Sequence, residues 1–436
     1  MSGRSSVVCK EKISAHSSIL LNEAYSQSSK QPIIVSGEGA WVYDVEGRKY
    51  LDTAMGGGSI ILGHAHPKVV SAVQVRVGLG TIFTAPCLEA IQYAEVLNSV
   101  MPWHTGFIFS STGSEATLRA IRLARAHTGR NRIAIFSGGW HGSHDQVLFG
   151  EHPESAEEAP ILLPISAGIP SEVQKQLLLL PYNHQGAIDL IKAHRDELAL
   201  ILIEPTQGSN PREDIGGFLR EIRNVTLECG ILFGLDEVIT GGRLGIGGGQ
   251  EYYGVTADLA TFGKTLGGGF PIGVLGINEA LCRTVKGNSK QGGVFMGGTF
   301  SGNPISTLAG KTVMSYLKET ALDSYSKLNQ WGETIRSELN HYCRANEMPF
   351  SVIGAGSIFR VIFSNKQIKS RHDRDKVEVS IEKQNLLYST LLDEGIHVGK
   401  NRVNFLSLGY DDDSINRLIE AYKTGFGRFQ LGDSSG

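Results

Sequence analysis

The chain has 436 residues, 41% of them hydrophobic and 19% charged, with a formal net charge of −3. That is enough for one large globular domain with a smaller appendage, or for two domains, and its near-neutral balance argues against nucleic acid or a membrane surface as partner. Five scattered cysteines without CxxC spacing argue against a disulfide framework or a zinc site. No apolar run is long enough to span a bilayer and the first residues lack the apolar core of a leader, so the protein is expected in the cytoplasm with reduced thiols.

Residues 1–12 are polar and expected to be poorly ordered, and residues 17–28 carry Ile19, Leu20, Leu21 and Ala24 at helical spacing. Residues 32–52 read as short strands joined by turns at 37–39 and 46–47. The segment AMGGGSIILGHAHP reads as a loop, followed by a helix that starts at Pro67 with proline in its first turn. A second amphipathic helix covers residues 88–100.

From Gly106 the pattern becomes alternating strands and helices. Residues 107–109, 133–136, 200–203, 231–235 and 259–262 are short apolar runs, and residues 114–127 form a helix with Ala116, Ala120, Ile121 and Ala124 facing inward. Strands of that kind suit a mainly parallel sheet covered on both faces. Residues 153–181 break the rhythm with prolines and read as a long loop or lid. A helical stretch from 304 to about 342 bridges to a small α+β unit made of 351–363, a helix at 379–393, 404–407 and a helix at 411–422. The tail LGDSSG is expected to be disordered. The fold class is therefore α/β, with 1–65 joining a small domain, 66–310 forming the large domain, and 311–436 supplying the bridging helix and the rest of the small domain.

The stretch 232–269 holds the densest chemistry. One apolar run delivers Asp236 and Glu237, and another delivers Lys264 ahead of a glycine-rich turn, so each group sits where a buried strand ends and open α/β sheets place ligands. A lysine that loses hydration there becomes an amine nucleophile for a carbonyl. Pyridoxal phosphate is the carbonyl that fits best, because its ring nitrogen needs an acidic partner such as Asp236. Other readings stand beside this one. Asp236 and Glu237 form a metal pair or a Walker-B-like strand end in one alternative, and Lys264 is a solvated lysine in another. A P-loop around GKT fails, because the first required glycine is Asp258. STGSEAT (111–117), with Thr112, Gly113 and Ser114, is either an anion site at a helix N-terminus or a plain N-cap worth roughly 1 kcal/mol. Trp140 in WHG either stacks on a ring or packs. HAHP suggests metal but lacks a third ligand, so a turn is the simpler reading.

FSSTGSEATLRAIRLARAHTGR, GGWHGSHD, ILIEPTQG, FGLDEVITGGR, FGKTLGGGFPIG and GGTFSGNP follow one another in an order that resembles class III, fold-type I pyridoxal-phosphate enzymes, nearest to glutamate-1-semialdehyde 2,1-aminomutase-like enzymes. The resemblance covers about residues 33–425. It implies a large cofactor-binding domain with a seven-stranded-type sheet, a small α+β domain from both chain ends, and a homodimer that shares its active sites. It further implies that Lys264 carries the cofactor as a Schiff base and moves a proton, that Asp236 keeps the ring nitrogen protonated, and that Val238 and Trp140 pack on the two ring faces. Thr112, Gly113 and Ser114 hold the phosphate, His141 and Glu204 line the cofactor site, and Thr299 reaches in from the second subunit. No metal is implied. Small-molecule amino donors and carbonyl acceptors are the expected partners, with no nucleic acid and no membrane.

The departures from the family concern the substrate. The aminomutase-like PGGVNSPVR segment is replaced by NEAYSQSSKQP, and an aromatic wall residue appears as Gly57, which widens the pocket. Arg402 aligns near a family glutamate and either grips a substrate carboxylate or is a solvated loop arginine. The expected activity is an aminotransferase working through pyridoxamine phosphate. A true aminomutase is the main alternative, ahead of a related pyridoxal-phosphate biosynthetic enzyme, a racemase or a catalytically silent scaffold.

Overall fold

A computed structural model describes residues 31–287 and 292–433. The expectations for residues 1–12 and 17–28, and for most of NEAYSQSSKQP, fall outside the described residues. The apolar runs assemble into a seven-stranded sheet in the order Gly106–Ser110, Gly273–Ile277, Leu259–Phe262, Leu232–Glu237, Leu198–Ile203, Arg132–Phe136, Leu177–Leu180. Every neighbouring pair is parallel except those made by Gly273–Ile277, which runs against both of its neighbours. Leu198–Ile203 lies inside the sheet, between Leu232–Glu237 and Arg132–Phe136, and is buried at every position, as a strand covered on both faces must be. Each of its large side chains contributes about 1.5–3 kcal/mol by leaving water.

Both chain ends build the smaller part. Ile34–Glu38, Trp41–Asp44, Lys49–Asp52 and Ile396–His397 form one sheet, with Ile396 paired in parallel to Leu51. Ser351–Ala355, Ile358–Ile362 and Asn404–Phe405 form another. The protein is thus α/β with a mostly parallel large sheet and a separate small-sheet unit, as the sequence predicts.

Four local expectations need correction. Residues 153–181 are not a structureless lid. Leu177–Leu180 is the edge strand of the large sheet, Leu162–Pro164 pairs with Phe149–Glu151, and Ser171–Gln174 is a helical turn. Four leucines between prolines show no period from which a strand could be told. The 304–342 helix is two, Pro304–Glu319 and Ala321–Ala345. They part at Thr320, whose φ of −113° leaves the helical range and whose hydroxyl bonds back to the Tyr316 carbonyl at 2.8 Å. AMGGG is not simply loop: Met55–Gly58 is a helical turn of left-handed sense, with φ of 43°, 60°, 67° and 90° along its four residues. The first part of the supposed disordered tail, Leu431 to Asp433, instead completes the helix Asp412–Asp433. Among the described residues no helix is long and apolar enough to cross a membrane.

Candidate active site

The site forms at the carboxyl ends of Leu232–Glu237 and Leu259–Phe262, where a parallel sheet leaves a crevice. Side chains alternate across a strand, so Asp236 and Glu237 point to opposite faces. Glu237 is fully buried and receives the Gly249 and Gln250 amides, the Gln250 side chain and the Thr240 hydroxyl. It therefore anchors the following loop and shares no ligand with Asp236. Among the described residues there is no cluster of three or more histidines, cysteines or carboxylates suited to a metal. In HAHP, His64 bonds Asp52 at 2.7 Å, and His66 lies edge-on to Tyr316.

Asp236 is buried and held on both oxygens. Oδ2 faces His141 Nδ1 at 2.8 Å, while Oδ1 accepts from the Thr261 hydroxyl at 3.0 Å and the Val238 amide at 3.1 Å. Thr261 sits directly beside Asp236 in the parallel register, which explains why a threonine interrupts an otherwise apolar strand. A carboxylate opposite Nδ1 fixes the imidazole proton there. His141 Nε2 is buried with no protein partner. A second carboxylate, Glu204, follows the strand Leu198–Ile203 and accepts from the Trp140 amide at 2.9 Å and the Gly208 amide at 3.1 Å. Burial pushes its pKa up to about 7, with Asp236 adding to the rise and His141 and the two amides opposing it.

Lys264 opens the short 3-10 turn Lys264–Gly267 with a φ of 45°, a left-handed conformation costing about 1 kcal/mol for a side chain with a Cβ. Burial pulls its amine pKa down. Glu204 and Asp236 act against that fall, and Arg243 adds to it. The same four groups thus share one electrostatic neighbourhood.

Thr112, Gly113 and Ser114 begin the helix Gly113–Thr128. Thr112 is its N-cap, accepting from the Glu115 amide at 3.1 Å, and Glu115 reaches back to the Ser111 amide at 2.6 Å. The cap reading of STGSEAT is therefore correct for Thr112, and it leaves the Gly113 and Ser114 amides at the positive end of the helix dipole. Two glycines keep this corner open to a ligand. A Cβ on Gly113 would stand 3.0 Å from Val238 Cγ2, and one on Gly142 would stand 2.6 Å from Ser114 Oγ. Buried carboxylate, half-buried amine, helix N-terminus and glycine cradle match the ring nitrogen, aldehyde and phosphate of pyridoxal phosphate.

Trp140 reaches the site through its amide on Glu204, while the other candidates lie on loops and turns. Trp140 is 53% exposed, and Thr299 is exposed in a loop whose Gly297 carbonyl and Ser301 hydroxyl are gripped by Arg119. Arg402 bonds Gln384 and Asn385 on the helix Ile381–Asp393 and lies 5.1 Å over the Tyr388 ring. Gly57 has a φ of 67° with nothing within 4 Å of a Cβ position, leaving open space at the turn. Sequence reasoning missed Thr261 and Arg243. A lone threonine in LATF and an arginine closing ITGGR were the available signals.

Comparison with known proteins assigns this geometry to a family. The model of the aminotransferase class-III family matches residues 24–423. The chain is 36% identical over 391 residues to glutamate-1-semialdehyde 2,1-aminomutase of Methanothermobacter thermautotrophicus, covering 88% of this chain and 90% of that protein. An omega-transaminase from Sphaerobacter thermophilus superposes with a TM-score of 0.87 at 29% identity, over 97% of this chain and 98% of the other. A transaminase solved with PLP bound gives a TM-score of 0.84 at 27% identity, over 97% and 99% of the two chains.

Proposed function

The chain belongs to the pyridoxal-phosphate-dependent class-III aminotransferases, and from that premise we propose that it moves an amino group between an amino donor and a separate keto acid or aldehyde acceptor. The observation that carries the reading is Lys264, an amine with lowered basicity fixed beside the Asp236–His141 pair at adjacent strand ends. When bound, pyridoxal phosphate supplies the carbonyl that accepts the amine and the ring that takes up negative charge. Asp236, held in place by His141, Thr261 and the Val238 amide, would face the ring nitrogen and keep a proton on it. Lys264 would hold the cofactor covalently until the substrate amine displaces it, and the freed lysine amine would then move the proton of the substrate's amine-bearing carbon. The Gly113 and Ser114 amides bind the phosphate, Val238 and Trp140 flank the ring, and Glu204 and His141 line its edge.

A homodimer belongs to this proposal. Val75, Val77, Leu79, Phe83 and Leu88 each expose an apolar side chain, and so does Phe300 beside Thr299. A second copy covering that surface would bring Thr299 to its neighbour's phosphate. Sedimentation at equilibrium is expected to give a dimer; a monomer with full activity would remove the shared site.

The aminomutase reading is favoured by the names of eight curated relatives, each a glutamate-1-semialdehyde 2,1-aminomutase at 33–36% identity. Against it stand the Gly57 opening and the transaminase name of the neighbour with a TM-score of 0.87. A donor–acceptor panel separates them. An aminotransferase yields keto product from donor alone in a single half-turnover and needs acceptor to continue. Isomerisation of glutamate-1-semialdehyde without any added acceptor, and no exchange with other amines, would establish the mutase instead.

A further inference from the structure

Arg243 is among the largest fully buried side chains, and its hydrogen bonds all go to neutral acceptors. One terminal nitrogen donates to the Ser357 hydroxyl at 3.1 Å and the Leu406 carbonyl at 2.9 Å, and the other to the Gly58 carbonyl at 2.7 Å. The guanidinium lies 5.3 Å over the Phe405 ring, and Nε has no protein partner. Among the described residues no carboxylate pairs with it. Burying a cation on neutral acceptors alone is a costly placement that simple packing does not require. What the three acceptors share is position. Gly58 closes the left-handed turn from the N-terminal segment, and Ser357 and Leu406 belong to the C-terminal unit.

The Gly58 carbonyl has a second donor, the Thr265 hydroxyl at 3.3 Å, and Thr265 is the residue after Lys264. The left-handed turn is therefore tied on one side to the lysine's own 3-10 turn and on the other to Arg243. Four successive residues with positive φ, one of them Met55, do not hold that shape by local preference. Gly58 also packs against Phe405, whose ring would stand 2.9 Å from a Cβ at that position, so the turn admits no side chain there. Gly57 faces open space on the outer side of the same turn.

We propose that Arg243 is a specificity-determining positioning residue: by holding the Gly58 carbonyl it fixes the Met55–Gly58 turn against the Lys264 loop and so sets how large a group can approach the amine. Arg243 touches neither substrate nor cofactor in this account. It acts through the turn, and the inference rests on Lys264 being the cofactor-bearing amine.

The test uses the purified holo-protein and two reagents that capture the cofactor carbonyl, O-methylhydroxylamine and the bulkier O-benzylhydroxylamine. Their second-order rates are read from loss of the visible cofactor band, which requires no substrate. In Arg243→Gln the small-to-bulky rate ratio is expected to fall at least threefold as the turn loosens. Thr265→Val and Ser357→Ala each remove one tie, and a smaller fall in the same direction is expected. These two decide the matter if Arg243→Gln does not fold. Thermal stability serves as the contrast, since a purely structural arginine lowers it without changing the ratio in folded protein. Unchanged ratios in variants with a normal visible band overturn the inference alone. A wild-type chain that shows no band with added cofactor sinks the cofactor reading, and this inference with it.

Discussion

The carboxyl edge of the large sheet and the rim made by the chain ends solve different physical problems. At the sheet edge, Asp236 and Glu204 sit on strand ends in a fixed register, each carboxylate bound by at least two donors. At the rim, Met55–Gly58 and Arg402 both adopt positive φ and are held by long-range contacts to Arg243, Gln384 and Asn385. Regular elements give the precision that proton transfer demands, whereas tied loops can be reshaped without disturbing the sheet. The difference teaches where to look for chemistry and where to look for choice of substrate.

Variants at the sheet edge should therefore cut turnover, and variants at the rim should shift affinity. Lys264→Ala is expected to show the largest effect, a fall in kcat of at least about a thousandfold, because covalent attachment and proton transfer are lost together. Steady-state kinetics check it, and near-normal turnover would break the division between the two regions. Asp236→Asn keeps the shape and removes the charge. A loss on the order of a hundredfold in kcat is expected, with KM changing far less.

Glu204 gives a pH test within the same region. Its folded pKa, near 7, lies above the ordinary value of 4.5, as does that of Glu237. Below about pH 4.5 both folded and unfolded chains hold these protons, so the contribution is complete there. Between about 4.5 and 7 the unfolded chain releases them first, and stability falls as pH rises. Glu204→Gln, a permanently neutral mimic, should remove its share of that slope, about 1–3 kcal/mol across the window. Urea midpoints measured at several pH values follow the change, and an unaltered slope would show that Glu204 is ionised throughout.

The rim is probed by Arg402→Ala, for which KM toward carboxylate substrates is expected to rise about tenfold with little change in kcat. The same KM with an uncharged amine should be unaffected. If both stay constant, Arg402 is only a brace for the helix Ile381–Asp393. The smallest effect is expected from Gly57→Ala, about 1 kcal/mol of stability for placing a Cβ at φ of 67°, with room to spare around it.

The sheet edge was also the more legible region. Apolar runs that end in Asp236 or Lys264 announce both the strand and the group it delivers, because burial and periodicity are local signals. Thr261 and Arg243 were not read, since their meaning depends on which strand lies alongside and which distant carbonyl arrives. Leu177–Leu180 was misread for a related reason: only its neighbour Ile133–Phe136 region makes it a strand. At the rim, the glycines of AMGGG signalled an unusual backbone, but its hand and its tie to Thr265 come from the tertiary structure.

The central claim is that Lys264 is the amine that carries the cofactor. Borohydride reduction of the purified, cofactor-loaded protein, followed by proteolysis and mass analysis, tests it directly. One modified peptide is expected, carrying the reduced pyridoxyl phosphate on Lys264. A label on another lysine, or a cofactor-loaded protein that reduction leaves unlabelled, would contradict it.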